Sequence, residues 1–265
     1  MRLPFRLRPP ASWADLHGAW IFYSVLPPWP APAPRFERIA RFAPWIGVLL
    51  GSLQALLWAL LQGRVPLLAQ VALVLALGLS LSGGLHLDGV MDTADGLAAG
   101  RDRQLEAMAD SRVGASGVQA LVLVLLLRAA GLACLGPAAP LLLPWTGLWG
   151  RLAPLLAMAH FPYLRPQGGS AAFHQRHWRG LGRELRPTLL LLPLLGIVWW
   201  QQGWGVALAA ALAGLVPAWL VPWWLGRRLG GHSGDSYGAC VEWTDSLALL
   251  LAALLLALGA GSRSV

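Results

Sequence analysis

The sequence has no lysine, so all twenty of its basic residues are arginine. Charged residues of both signs make up only 12% of 265 residues, about half the share of an ordinary soluble domain. The two cysteines, Cys134 and Cys240, are too few for a disulfide framework and lack metal-site spacing. Three tyrosines stand against fifteen tryptophans, and tryptophan favours membrane–water boundaries. Near the N-terminus no small-residue cleavage site follows a clean apolar core, so no removable signal peptide is read. No internal repeat is evident. With 57% hydrophobic residues, these shortages exclude a soluble globular protein and predict an integral membrane one. A formal charge of +8 would point to nucleic acid in a soluble chain. Here it reads as positive loops on the cytoplasmic side, and no nucleic-acid partner is expected.

What is present is a series of apolar runs. Residues 1–43 form an N-terminal interfacial segment with Arg2, Arg6 and Arg8; its apolar run 16–26 is too short to span, and 27–34 is proline-rich and cannot be regular helix. Seven longer runs follow, at 44–61, 66–82, 118–136, 140–160, 188–202, 204–225 and 246–261. The expected architecture is all-α: one polytopic membrane domain over 1–265, about seven transmembrane helices, N-terminus cytoplasmic. This parity leaves 1–43, 83–117, 161–187 and 226–245 on the cytoplasmic side, with sixteen of the twenty arginines and all twelve acids. Arg64 and Arg263 fall outside, and Arg128 and Arg151 within spans.

The chemistry concentrates in 83–117 and 226–245, read as active-site loops. Asp88, Asp92 and Asp95 stand at i, i+4 and i+7, one face of a helix. Asp102, Glu106 and Asp110 stand at i, i+4 and i+8, predicting a second acidic face. Carboxylates this close repel unless cations lie between them, and such hard oxygen ligands suit Mg²⁺ bound with substrate phosphates. A solvated acidic helix is the bland alternative. His86 is a candidate base or an interfacial histidine. Gly83, Gly84, Gly89, Gly96 and Gly100 allow tight backbone or end helices. Asp110, Ser111 and Arg112 place an arginine, which grips phosphate bidentately, beside the acids; a surface ion pair is the alternative. The second loop, Gly230 to Asp245, combines Gly231, His232, Ser233, Gly234, Asp235, Glu242 and Asp245, and a glycine-rich backbone can present N–H groups to phosphate. The stretch from Phe161 to Arg186, rich in Arg, His and Gln, reads as nucleotide-binding or as lipid-headgroup contact.

On these residues the chain resembles the cobalamin synthase family, the adenosylcobinamide-GDP ribazoletransferases. The resemblance is carried by Gly83–Gly89, by Asp92 with Asp95–Gly96, by Leu105, Met108, Asp110, Ser111, Arg112 and Gly114, and by Gly230–Gly231, Ser233–Asp235 and Gly238–Ala239. Arg151 and the FPYLRPQGG stretch match the middle region. The chain departs in its IFYSVLPPWP run and at Asp245, where a glutamate is expected.

The resemblance implies a phosphotransferase in the bacterial inner membrane, multi-pass, its active site facing the cytoplasm. It implies transfer of the adenosylcobinamide-phosphate moiety of adenosylcobinamide-GDP to α-ribazole or its 5′-phosphate, giving adenosylcobalamin or its 5′-phosphate and GMP, with Mg²⁺ as cofactor. In the roles then expected, Asp88, Asp92, Asp95, Asp235 and Glu242 hold metal. His86, Asp110 and Arg112 are catalytic, and Gly83, Gly84, Ser111, Arg151, Gly231, Ser233 and Gly234 bind substrate. Whether copies form a homo-oligomer is left open. Two other readings are a CDP-alcohol type phosphotransferase, whose D-G-x-x-A-R run is absent, and a cation-coupled transporter, whose acids would lie near the bilayer midplane.

Overall fold

The computed structural model describes residues 11–30, 32–165 and 171–261. Arg2, Arg6, Arg8, Arg263 and residues 166–169 of the FPYLRPQGG stretch lie outside them. The chain folds as α1 Ala11–Tyr23, a 3-10 turn Ile39–Phe42, α2 Ala43–Leu61, α3 Leu67–Ser82, α4 Leu85–Ala99, α5 Gln104–Ala107, α6 Ala115–Leu135 and α7 Ala139–His160. Three short helices follow, α8 Ala172–His177, α9 Leu181–Glu184 and α10 Arg186–Leu189, then α11 Leu192–Gln202, α12 Trp204–Leu229 and α13 Gly234–Gly261. Among the described residues there is no strand; Tyr163 and His232 form an isolated bridge.

The protein is a multi-pass membrane protein, but it does not show seven clear crossings. Four helical stretches are long and apolar enough to span, or five if the bent pair α3–α4 is counted as one. At 16 and 11 residues, α3 and α11 fall short of the roughly 20 that cross a bilayer. One of the four stretches, the 46 residues Ala115–His160, would be about 69 Å long as a straight helix, over twice the hydrocarbon thickness. It folds back at Gly136–Ala138. Along α6, Arg128 faces Glu242 and Gly131 faces Leu249, in rising order on α13. Along α7 the order falls: Leu142 and Leu143 share a core layer with Leu249 and Ala252, and Leu155–Met158 share one with Tyr237 and Cys240.

Both sequence-predicted loops are largely helix. Residues 83–117 hold α4 and α5, and α13 starts at Gly234, so Asp235, Glu242 and Asp245 ride on the last membrane helix rather than before it. The expected second acidic face is absent. α5 is only four residues long, and Asp102 and Asp110 lie outside it.

One bend and one close approach position the site. Gly83 and Gly84 have φ of 63° and 71°, the left-handed region that glycine enters without a Cβ clash. They turn α4 by 90° from α3. α4 then buries Leu87 and Val90 against α13 and α6 and turns its acidic face away from that core. At Gly89 a Cβ would collide with the Asp235 carbonyl, so glycine there lets α4 lie directly on the start of α13.

Candidate active site

Where α4 crosses α13, a cavity of about 180 Å³ opens. His86 and Asp88 of α4, Arg151 of α7, and Gly234 and Asp235 of α13 line its polar part. Asp92 follows Asp88 one turn on, within electrostatic reach of Asp88, Asp95 and Asp235. Arg165 approaches Asp235 with its Nη2 3.9 Å from the carboxylate, and the same nitrogen donates to the Leu105 carbonyl at 3.0 Å. Ser233 donates to Asp235 at 3.2 Å. Carboxylates are thus gathered from two helices at the rim of a cavity whose floor carries an arginine.

Other predicted site residues have different work. Asp95 accepts from the backbone N–H of Gly114 at 2.7 Å and of Gly117 at 2.8 Å, capping the N-terminus of α6 from a neighbouring helix. Glu242 is buried two turns along α13 from Asp235 and pairs with Arg128 at 2.9 Å. Arg112 is 88% exposed at its side chain and grips Asp110 at 2.6 Å, holding that carboxyl down at about pKa 2. Ser111 beside it is exposed. The Asp110–Arg112 pair is therefore a surface ion pair and not part of the cavity. Gly83 and Gly84 make the α3–α4 bend; Gly231 and Ser233 shape the turn into α13. His232 is fully buried there: its Nε2 donates to the Pro222 carbonyl at 3.1 Å, and burial pushes its pKa down to about 4.

Beneath the cavity lies a charged layer. Arg128 reaches Glu242 at 2.9 Å and Asp245 at 3.5 Å; Arg151 reaches Asp245 at 3.9 Å; His86 Nδ1 lies 3.7 Å from Glu242. Arg128 and Arg165 escaped the sequence-based site. The signal for Arg128 was a lone charge inside an apolar run, and buried intramembrane charges mark function or its support.

The residues fit a hard divalent cation in a limited sense. Asp88 and Asp235 offer carboxylate oxygens to the cavity, and Asp92 stands within electrostatic reach of both. Among the described residues no three His, Cys, Asp or Glu side chains converge into a ready-made metal cage. That donor set suits an ion such as Mg²⁺, which keeps few protein ligands and takes the rest from water and substrate phosphate.

The profile of the cobalamin-5-phosphate synthase family matches residues 15–253. The adenosylcobinamide-GDP ribazoletransferase of Prochlorococcus marinus strain MIT 9303 is 58% identical, over 98% of this chain and 100% of that protein. That of Thermosynechococcus vestitus is 42% identical over 95% and 98%, and that of Trichormus variabilis 37% over 91% and 97%. No solved structure matches.

Proposed function

The chain belongs to the cobalamin-5-phosphate synthase family, and from that premise we propose how its cavity carries out the transfer. The enzyme is an adenosylcobinamide-GDP ribazoletransferase, acting in the last assembly of the nucleotide loop of cobalamin. The acceptor is α-ribazole or its 5′-phosphate. A ribose hydroxyl attacks the cobinamide-side phosphorus of the diphosphate. The new O–P bond forms as the P–O bond to GMP breaks, and the hydroxyl proton passes to a base.

The observation that carries this reading is the meeting of Asp88, Asp235 and Arg151 on one cavity in a chain that matches its relatives end to end. Asp88, Asp92 and Asp235 would hold Mg²⁺, which supplies positive charge to the diphosphate. Arg151 at the cavity floor and Arg165 at its rim take the phosphate role first expected of Arg112. Holding both reactants in line is the chain's main contribution, worth several orders of magnitude in such reactions. His86, which lines the cavity beside Asp88, is the proposed proton acceptor.

The cavity end faces the cytoplasm of a bacterial inner membrane, because the arginine-rich connections 99–115, 161–186 and 227–233 lie there and the opposite connection carries Arg64. In this arrangement α2, α3, α6, α7, α11, α12 and α13 make seven passes, the short ones aided by the segments beside them. Exposed Trp204 and Trp223 bracket α12 about 29 Å apart, close to the thickness of the hydrocarbon core.

The test is purified protein given adenosylcobinamide-GDP and α-ribazole, with Mg²⁺ or with EDTA. Mg²⁺-dependent appearance of GMP and cobalamin together is expected. Folded protein that yields neither product would refute the reading.

A further inference from the structure

Behind the active-site cavity lies a second, smaller one of about 30 Å³, inside the charged layer. Gln54 of α2, Arg128 of α6, Thr146 and Arg151 of α7, and Glu242 and Asp245 of α13 contribute its polar wall. Among the described residues Arg151 alone lines both cavities. It stands between the place of transfer and the buried acids. The transfer reading uses its outer side and leaves its inner side unexplained.

The two arginines of this layer are held very differently. Arg128 has Glu242 at 2.9 Å and Asp245 at 3.5 Å. Arg151 has Asp245 at 3.9 Å, beyond hydrogen-bond length, and among the described residues no other carboxylate within 4.0 Å. Its stem is confined, because α2 passes so close at Gly47 that a Cβ there would strike Arg151 Cδ. Its head is not clamped in the same way. Arg151 Nε and Asp245 Oδ1 are both buried, and neither has a hydrogen-bond partner among the described residues. Leaving buried charged groups unpaired is costly, and a polar contact longer than about 3.5 Å points to a water between its ends. The inner cavity has the room. A water needs about 10–15 Å³ of such space and two to four polar partners, so about 30 Å³ takes about two. Thr146 donates to the Leu143 carbonyl at 3.1 Å and Gln54 to that of Leu50 at 3.3 Å, so the side-chain oxygens of both remain able to accept.

We propose that Asp245 is a positioning residue for the transfer: through water in the inner cavity it holds the Arg151 guanidinium at the wall where the outer cavity receives the diphosphate. Grip on a phosphate depends on the direction of the guanidinium fork as well as on its charge. Glu242 is also within electrostatic reach of Arg151. With the Asp245 carboxylate gone, Glu242 is the remaining acid of the layer, and it draws the fork away from the outer cavity. The proposal rests on the reading in which Arg151 meets the diphosphate, and its test separates the two.

The experiment is equilibrium dialysis of labelled GDP, with Mg²⁺, against the full chain in lipid nanodiscs. Asp245→Asn alone leaves one positive charge unbalanced, which by itself would tighten an anion. The decisive variant is therefore Arg128→Gln with Asp245→Asn, which removes one charge of each sign. It should bind GDP about 10-fold more weakly than wild type, the scale of one charged hydrogen bond. The KM for adenosylcobinamide-GDP should rise with it while that for α-ribazole holds. Asp245→Glu, which keeps the carboxylate and extends it by a methylene, should bind GDP as wild type does. In an Arg151→Met chain, adding Asp245→Asn should cost no further affinity, because a residue that acts through another is silent once its target is gone. Wild-type or tighter GDP binding in the balanced double variant would overturn the proposal, and so would a further loss in the Arg151→Met chain. Should either of these two fail to fold, the other decides. Dialysis needs no turnover. Protein that shows this binding pattern but releases no GMP from the two substrates breaks the transfer reading and keeps the positioning role. Protein that turns over while the balanced double variant binds GDP as wild type does the reverse.

Discussion

Two sets of acids ride on overlapping helices and do opposite work. Asp88 and Asp235 line the cavity and Asp92 stands within electrostatic reach of both, with Arg165 3.9 Å from Asp235 as the cation set against them. Glu242, buried, and Asp245, half-buried, lie about 10 Å and more further along α13 and are matched by Arg128 and Arg151. The difference is depth. At the mouth, water shields like charges until a ligand arrives, so negative charge can be left over for chemistry. Inside the bundle an unmatched charge is prohibitive, so each acid is neutralised where it stands. Arg151 belongs to both layers: it neutralises Asp245 and lines the cavity floor.

The comparison breaks most visibly under charge removal. Asp88→Asn, Asp92→Asn or Asp235→Asn should each cut GMP release on the order of 10³-fold, as loss of an essential charge-stabilising group does. The thermal midpoint in detergent should hold or rise, since like-charge repulsion is relieved. Substantial activity in all three would remove the outer set from the mechanism. Glu242→Leu should behave in the opposite way, costing up to roughly 3–5 kcal/mol of stability because it takes the nearer of the two carboxylates from Arg128 and leaves it only Asp245 at 3.5 Å. Adding Arg128→Leu should recover most of that loss. If the double variant melts no higher than the single one, the inner set is not a compensated pair.

A smaller effect concerns the turn that leads into α13, which carries Asp235, Glu242 and Asp245. His232 has a folded pKa near 4 against an ordinary 6.5. The native state therefore binds fewer protons than the unfolded chain between those values. The stabilisation is complete above pH 6.5 and is lost as pH falls toward 4, about 2 kcal/mol of it by pH 5. His174, also held near 4, adds a second such group. Melting from pH 7.5 to 5 should show the slope, and His232→Asn should roughly halve it. An unaltered slope would mean that other groups govern the acid limb.

Much of this was legible in the sequence, and what was missed has a common cause. The membrane class, the helical face of Asp88, Asp92 and Asp95, and the pairing of the two glycine-rich motifs follow from composition and period. Depth does not. Hydropathy counts residues, so it began the last span at 246 when α13 carries Glu242 and Asp245 into the bundle as neutralised partners. Spacing alone likewise put Asp102, Glu106 and Asp110 on a helix face. The Gly100 and Gly114 boundaries leave only α5 there, and Arg112 turns to Asp110 in the solvent. Arg128 was visible as a misplaced charge, but its partner is 114 residues away, which no local pattern reveals.

Asp95 sharpens the comparison because it belongs to neither set. It shares a face with Asp88 and Asp92, yet its two oxygens are taken by the N–H groups of Gly114 and Gly117. Both glycines need their bare backbone: a Cβ on either would strike the Asp95 carboxylate or its helix. Asp95 is thus the third member of a ligand-like triplet by spacing and a helix cap by contact. Asp95→Ala should cost about 1–2 kcal/mol, the range of a lost N-terminal cap, and speed amide exchange over 114–118. Asp95→Asn keeps an acceptor oxygen and should restore part of that protection. Activity in Asp95→Asn should fall far less than in Asp88→Asn or Asp92→Asn. An equal loss in all three, with exchange at 114–118 unchanged, would return Asp95 to the metal-holding set and make the cap incidental.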